Sequence, residues 1–333
     1  KKEFNNFVKY KKIFAIDTIG KNTLKVFSLR KLINKKNIFM ILLLNYGFVS
    51  NEEYGEIKLE FKNYFYIFKD FMIKKIYRLL VLIKVFPPVF LYFECKDHIF
   101  KHYYSNQKFH FIEKYFPFLN IFNIKKIIKI NSKAYDTFTQ RKYPISENKI
   151  IFIDGNYKNE EFFFRENPDI DKIEKKYFKL LGKFLKKLEN IYNQKVEICL
   201  HPSSNIDVYK NYFEKINISI SKGLTEKKIY EASIVVFHES SAIMDAILCR
   251  KKIISLDTNL FGMYHSNRVN FYKNTLKLFG FNLDEELNLS KDNLNKSLDL
   301  ACKNYEYYIK NNLNSDKEEL GSEKILRVIS NYI

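Results

Sequence analysis

A histidine followed by a proline, His201-Pro202, and a pair of serines some forty residues later, Ser240-Ser241, are the residues of this chain best suited to chemistry. Each group ends an apolar run: Val196 to Leu200 leads into His201-Pro202-Ser203-Ser204, and Ile234 to Phe237 leads into His238-Glu239-Ser240-Ser241. After the serines, Ala242 to Leu248 reads as a helix. A strand, a turn bearing two hydroxyls and a helix start together offer unpaired backbone N–H groups and hydroxyl donors to an anion, above all a phosphate. An imidazole can act as a general acid near neutral pH, and the proline after it biases its backbone toward an extended form. The combination points to transfer of a group from a phosphate-activated donor.

Three carboxylates are candidates for a base that deprotonates an acceptor hydroxyl. Asp17 and Glu94 end predicted strands in the first half, and Asp154, beside Gly155, ends one in the second. Glu226 follows Thr225 at a predicted helix start, where a carboxylate is favoured by the dipole. Gly20-Lys21-Asn22-Thr23 lacks the spacing of a phosphate-binding loop, and Cys95, His98 and His102 have no companion cluster that would complete a zinc site.

These side chains require strand ends to carry them. Short apolar runs at Ile13–Ile16, Phe39–Leu44, Val89–Phe93 and Lys126–Ile130 alternate with helical patterns, the longest from about Glu56 to Lys84. After Tyr143-Pro144 a fresh unit begins. It has strands at Lys149–Ile153, Val196–Leu200, Ile216–Ile220, Ile234–Phe237 and Ile253–Leu256, and a long amphipathic helix over Asp171–Tyr192. The pattern predicts an α/β chain of two Rossmann-like domains facing each other, residues 1–147 and 148–333, with C-terminal helices packing back.

The chain has 333 residues and a formal charge of +19, which calls for anionic partners. Lysine and asparagine are abundant alongside isoleucine, phenylalanine and tyrosine, so base composition competes with function as the source of that charge. The basic, aromatic-rich stretch Phe61–Phe86 suits an anionic membrane surface. No run is long and apolar enough to predict a spanning helix, and the four cysteines show no paired spacing, as in a reducing compartment. The aromatics follow core spacing and no RNA-recognition motif is visible, so nucleic acid is not an expected partner.

His-Pro at one strand end and Ser-Ser after a later one resemble the motifs of bacterial sialyltransferases and the related polysialyl and Kdo transferases over Lys149–Thr258. That resemblance implies a GT-B glycosyltransferase without metal or other cofactor. It would move a sialic-acid-like or Kdo-like sugar from a CMP-activated donor to a glycan or lipid-linked glycan, with inversion. It implies His201 as acid toward the CMP leaving group, Ser240 and Ser241 on its phosphate, and Glu226 on the ribose hydroxyls. Pro202, Ser203, Glu239 and Gly155 complete the expected donor site. The base of the family lies in an acidic pair before glycine; here Ile153 precedes Asp154-Gly155, and Glu94 is followed by Cys95-Lys96. The base therefore stays open between Asp154, favoured for its glycine, and Glu94, better placed in an acceptor domain. The implied location is cytoplasmic, peripheral on the inner membrane, serving lipopolysaccharide or capsule synthesis. A GT-B transferase using a UDP-type donor is the alternative, and a nucleic-acid-binding protein a more distant one.

Overall fold

The computed structural model of the chain describes residues 14–17, 39–43, 79–80, 83–85, 89–94, 126–141, 144–155, 170–286, 289–313 and 319–332. These fall into two compact units, one holding the described residues up to Asp136 together with those from 311 onward, the other those from Thr137 to Lys310. Both are α/β and both are built on a parallel sheet. The expected helix over Glu56–Lys84 and most of the Phe61–Phe86 stretch lie outside the described residues.

The first unit carries β1 (Phe14–Asp17), β2 (Phe39–Leu43), β3 (Val89–Glu94) and β4 (Lys126–Lys129), paired in sequence order. Ile41, Leu91, Phe93, Ile128 and Ile130 form its core. Helix α1 (Lys133–Thr139) follows, and its Asp136 accepts from the N–H groups of Gly321 (2.9 Å) and Ser322 (3.1 Å) at the start of the last helix. That capping carboxylate is what a helix start needs. A Cβ on Gly321 would lie 2.7 Å from the Asn131 carbonyl oxygen, so the close approach requires glycine.

The second unit is a six-stranded parallel sheet. Its elements are β5 (Lys149–Ile153), α2 (Ile170–Tyr192), β6 (Val196–Leu200), α3 (Ile206–Phe213), β7 (Ser219–Lys222), α4 (Thr225–Glu231), β8 (Ala232–Phe237), α5 (Ile243–Leu248), β9 (Lys252–Asp257), α6 (Gly262–Leu276), β10 (Phe279–Asn282) and α7 (Lys291–Cys302). The chain continues through the short α8 (Tyr305–Tyr308), and α9 (Gly321–Ser330) belongs to the first unit. The strands lie in the order β10-β9-β8-β5-β6-β7. The chain starts at the centre with β5, builds out through β6 and β7, then returns to the other side of β5 for β8, β9 and β10. That is the doubly wound order, and its switch point, where ligands collect at the carboxyl ends of the strands, lies between β5 and β8.

Strands buried on both faces read as continuous apolar runs, and these do. Along β5, Ile150 and Phe152 face α2, as do Ile198 and Leu200 of β6 and Ile234 and Val236 of β8. Helix α2 meets them with Tyr177, Phe178, Leu181, Phe184, Leu185 and Leu188, the inward stripe of a 3.6-residue period. Ile151, Ile153, Val235 and Phe237 alternate to the opposite face and are equally buried. The predicted strand over Ile216–Ile220 is displaced. Glu214–Ile216 is a 3-10 turn, Asn217 takes a left-handed conformation (φ 57°), and β7 begins only at Ser219. The alternation of Ile216, Ile218 and Ile220 ran across a turn that asparagine tolerates.

Candidate functional site

His201, Asp154 and Ser240-Ser241 all lie at the carboxyl edge of the six-stranded sheet, on three adjacent strands. Asp154 and Gly155 follow β5, His201 follows β6 on one side, and His238 to Ser241 follow β8 on the other. With neighbouring strands about 4.8 Å apart, the ends of β6 and β8 are about 10 Å apart across β5.

The His201 loop is a tight turn with Pro202 at its second position, closed by Ser204 N–H donating to the His201 carbonyl (3.0 Å). Asn205 then caps α3 by accepting from Asp207 N–H (3.0 Å). Ser203 N–H donates to His201 Nδ1 (3.2 Å), which requires a lone pair there and so puts the proton of the neutral ring on Nε2. Ser203 Oγ lies 2.7 Å from the same nitrogen. When the ring is cationic, Nδ1–H donates to that hydroxyl instead, so Ser203 orients the imidazole in both states. His201 is solvent-exposed.

Asp154 lies beneath this loop and is only 3% exposed. Oδ2 accepts from His201 N–H (3.2 Å) and Ser204 Oγ–H (2.5 Å), and Oδ1 accepts from the Tyr209 hydroxyl of α3 (2.8 Å). Lys222 Nζ adds a donor to the Ser204 carbonyl (2.9 Å). Strand alternation explains the placement, because Asp154 continues the Ile150–Phe152 side of β5 that faces α2. Sequence reading made this carboxylate one of two candidates for the base. The geometry makes it a buried clamp on the backbone that presents His201.

His238 follows the same rule on β8, continuing the Ile234–Val236 side. It is 3% exposed, its Nδ1–H donates to the Leu256 carbonyl (2.8 Å), and Nε2 accepts from the Tyr177 hydroxyl (2.8 Å). Burial lowers its pKa from 6.5 to about 4, against a smaller opposing pull from that carbonyl and from Asp154, so the ring is neutral. Burial, and then the Asp154 charge, raises the Tyr177 hydroxyl well above its ordinary range. The His265 ring of α6 lies 5.2 Å from the His238 ring, nearly edge-on, with Phe261 packed against both.

At the end of β8 the chain turns through His238-Glu239-Ser240. Ser240 Oγ accepts from Ala242 N–H (3.3 Å), while the N–H groups of Ser240 and Ser241 meet no acceptor among the described residues. Ser241 is exposed and Ser240 half-buried. The following helix, α5, is shorter than expected, Ile243–Leu248, so the donors come from the turn more than from a long dipole. Glu239 is buried, and a Cβ on Gly155 would lie 3.0 Å from the Glu239 carbonyl oxygen. Gly155 is thus the point where the β5 and β8 ends touch.

Glu226 sits in the first turn of α4, after β7, on the same edge but two strands beyond β5. Its Oε1 accepts from the Tyr230 hydroxyl (2.8 Å). Glu94 ends β3 in the first unit, paired in register with Lys129. Tyr209, Ser204, Tyr177, His238 and His265 were not singled out by sequence, yet the first four hold the site's loops. Among the described residues no three His, Cys, Asp or Glu side chains are grouped to hold a metal ion, and no helix is long and apolar enough to cross a membrane. Cys199 and Cys249 are buried free thiols, each raised by burial to about 12.

No protein-family model matches the chain, and no curated protein matches it in sequence. Among solved structures it is similar to a Staphylococcus aureus MnaA–UDP complex (TM-score 0.48, 10% identity, 99% of this chain and 76% of that one). It is similar to the wall teichoic acid polymerase TagF (0.48, 12%, 96% and 71%) and to the calicheamicin glycosyltransferase (0.44, 12%, 91% and 70%). All three scores are below 0.5, so the functional reading rests on this chain's own residues.

Proposed function

We propose that the chain is a glycosyltransferase of GT-B type that takes an acidic sugar from a CMP-activated donor and places it on a glycan hydroxyl, with inversion and without a metal. The observation that carries this is that an exposed His201, protonated on Nε2, and the two open N–H groups of Ser240 and Ser241 lie at the carboxyl edge of one doubly wound sheet, on the two strands that flank β5. A phosphate between them would gain charge as the bond to the sugar breaks. Donors fixed at the sheet edge would stabilise the developing charge without reorganisation. The His201 imidazolium would pass its Nε2 proton to the leaving CMP and return to the neutral ring with Nδ1–H held by Ser203 Oγ, and Glu226 would accept from the ribose hydroxyls.

Asp154 already accepts from three donors under the loop, which supports Glu94, the other candidate, as the base on the acceptor hydroxyl. The proposed acceptor is a surface glycan or its lipid-linked form, and the proposed site of action is the cytoplasmic face of the inner membrane.

Transfer assays with CMP-activated and UDP-activated sugars test the reading. Turnover is expected with a CMP-activated acidic sugar, falling about 100- to 1,000-fold in His201→Ala at unchanged melting temperature. Turnover with UDP-sugars alone would replace the donor class, and an unimpaired His201→Ala would remove the assigned acid.

A further inference from the structure

The outer face of α2 is made of one residue type. Every solvent-exposed position of this helix from Lys172 to Lys187 is a lysine: Lys172, Lys175, Lys176, Lys179, Lys183 and Lys187. Their spacing of three and four residues places all six on one stripe, about 22 Å long at 1.5 Å per residue. Of the acids of α2 after Lys172, Glu174 is buried and Glu189 is paired with Lys186 and Lys195, so neither dilutes it. Lys175, Lys176, Lys179, Lys183 and Lys187 form no ion pair with any described residue.

A lysine-rich composition does not by itself produce such a face. Helix α7 exposes Lys291, Asp292, Asn293, Lys296, Asp299 and Leu300, and α3 exposes Asp207 and Lys210. Like charges at i, i+3 and i+4 repel, so a stripe without acids costs helix stability unless a counter-surface neutralises it. Here the inward stripe of Tyr177, Phe178, Leu181, Phe184, Leu185 and Leu188 holds the helix in place regardless.

We propose that this lysine stripe docks the protein on an anionic lipid surface. A straight row of charges on the outside of a helical layer meets a planar surface along its whole length. The apolar side of α2 is committed to the core, so the contact is adsorption of charged head groups without insertion. The stripe has no exposed aromatic side chain on which single-stranded bases would stack, which separates it from a nucleic-acid channel. The surface is independent of the donor site and does not rest on the transferase reading.

Co-sedimentation of the full chain with vesicles tests it. The protein is expected to pellet with phosphatidylcholine vesicles containing about a third phosphatidylglycerol, not with pure phosphatidylcholine, and to be released as salt rises from about 0.1 M to about 0.5 M. Each lysine near such a surface contributes about fivefold to partitioning, so Lys175→Gln/Lys179→Gln/Lys183→Gln is expected to weaken binding about 100-fold. Arginine at the same three positions should retain it. A control of equal charge change elsewhere, Lys210→Gln/Lys215→Gln/Lys277→Gln, should weaken it far less. Equal losses in the stripe and control variants would overturn the proposal. So would binding to a random-sequence duplex oligonucleotide with none to anionic vesicles.

Discussion

At the residue scale, the site depends on a division of labour between a histidine that faces solvent and a carboxylate that does not. Asp154 gathers the His201 N–H, the Ser204 hydroxyl and the Tyr209 hydroxyl. Asp154→Asn would leave at least one of these buried donors facing an amide N–H, so a loss of about 3 kcal/mol in unfolding free energy is expected, together with lower activity. Chemical denaturation measures it; a variant of native stability that loses only kcat would make Asp154 a base after all. His238 supplies a second test. Its folded pKa of about 4 lies below the ordinary 6.5, so the unfolded chain binds the extra proton between those values and stability falls as pH drops through that window. The contribution is about 3 kcal/mol, fully present above pH 6.5. His238→Gln, which keeps a donor for Leu256 and an acceptor for Tyr177, should show a shallower acid loss in denaturation curves at pH 7 and pH 4.5. Identical slopes for the two proteins would contradict the assignment. The functional types of these residues could be read in the sequence, but not their roles. The missed signal was strand alternation carried one step past each strand end. Phe152 to Asp154 and Val236 to His238 keep the same face, which points both polar groups into the α2 layer and leaves His201 on the other side.

At the element scale, the strands and the α2 helix were legible because the parallel core demands unbroken apolar runs and a 3.6-residue stripe against them. Lys149–Ile153 and Val196–Leu200 were located to the residue. The displaced β7 shows the limit, since isoleucine alternation persists through a left-handed asparagine that only tertiary structure reveals. The order of strands followed only from the Rossmann-like fold class, because it is set by crossover connections and not by local pattern. Yet that order is what puts the β5 and β8 ends side by side, with Gly155 against the Glu239 carbonyl. Gly155→Ala is expected to push the two ends apart, costing about 1–2 kcal/mol in stability and weakening nucleotide binding through the Ser240-Ser241 turn. Thermal melts and a CMP titration of the variant check both. Unchanged values would mean that the contact at Gly155 does not tie the β8 turn to β5.

At the scale of the whole molecule, the excess positive charge was visible in composition, but its arrangement was not. Folding gathers part of it into one helix face, while elsewhere lysines pair with acids, as in Lys149 and Lys228 around Glu197. Binding of a nucleotide monophosphate should depend on its phosphate and on His201. Calorimetric titration of the full chain at neutral pH with CMP and with cytidine measures this directly. The account predicts binding of CMP at least tenfold tighter than cytidine, with that advantage lost in His201→Ala. Equal binding of CMP and cytidine by the native chain, or an undiminished preference for CMP in His201→Ala, would contradict it.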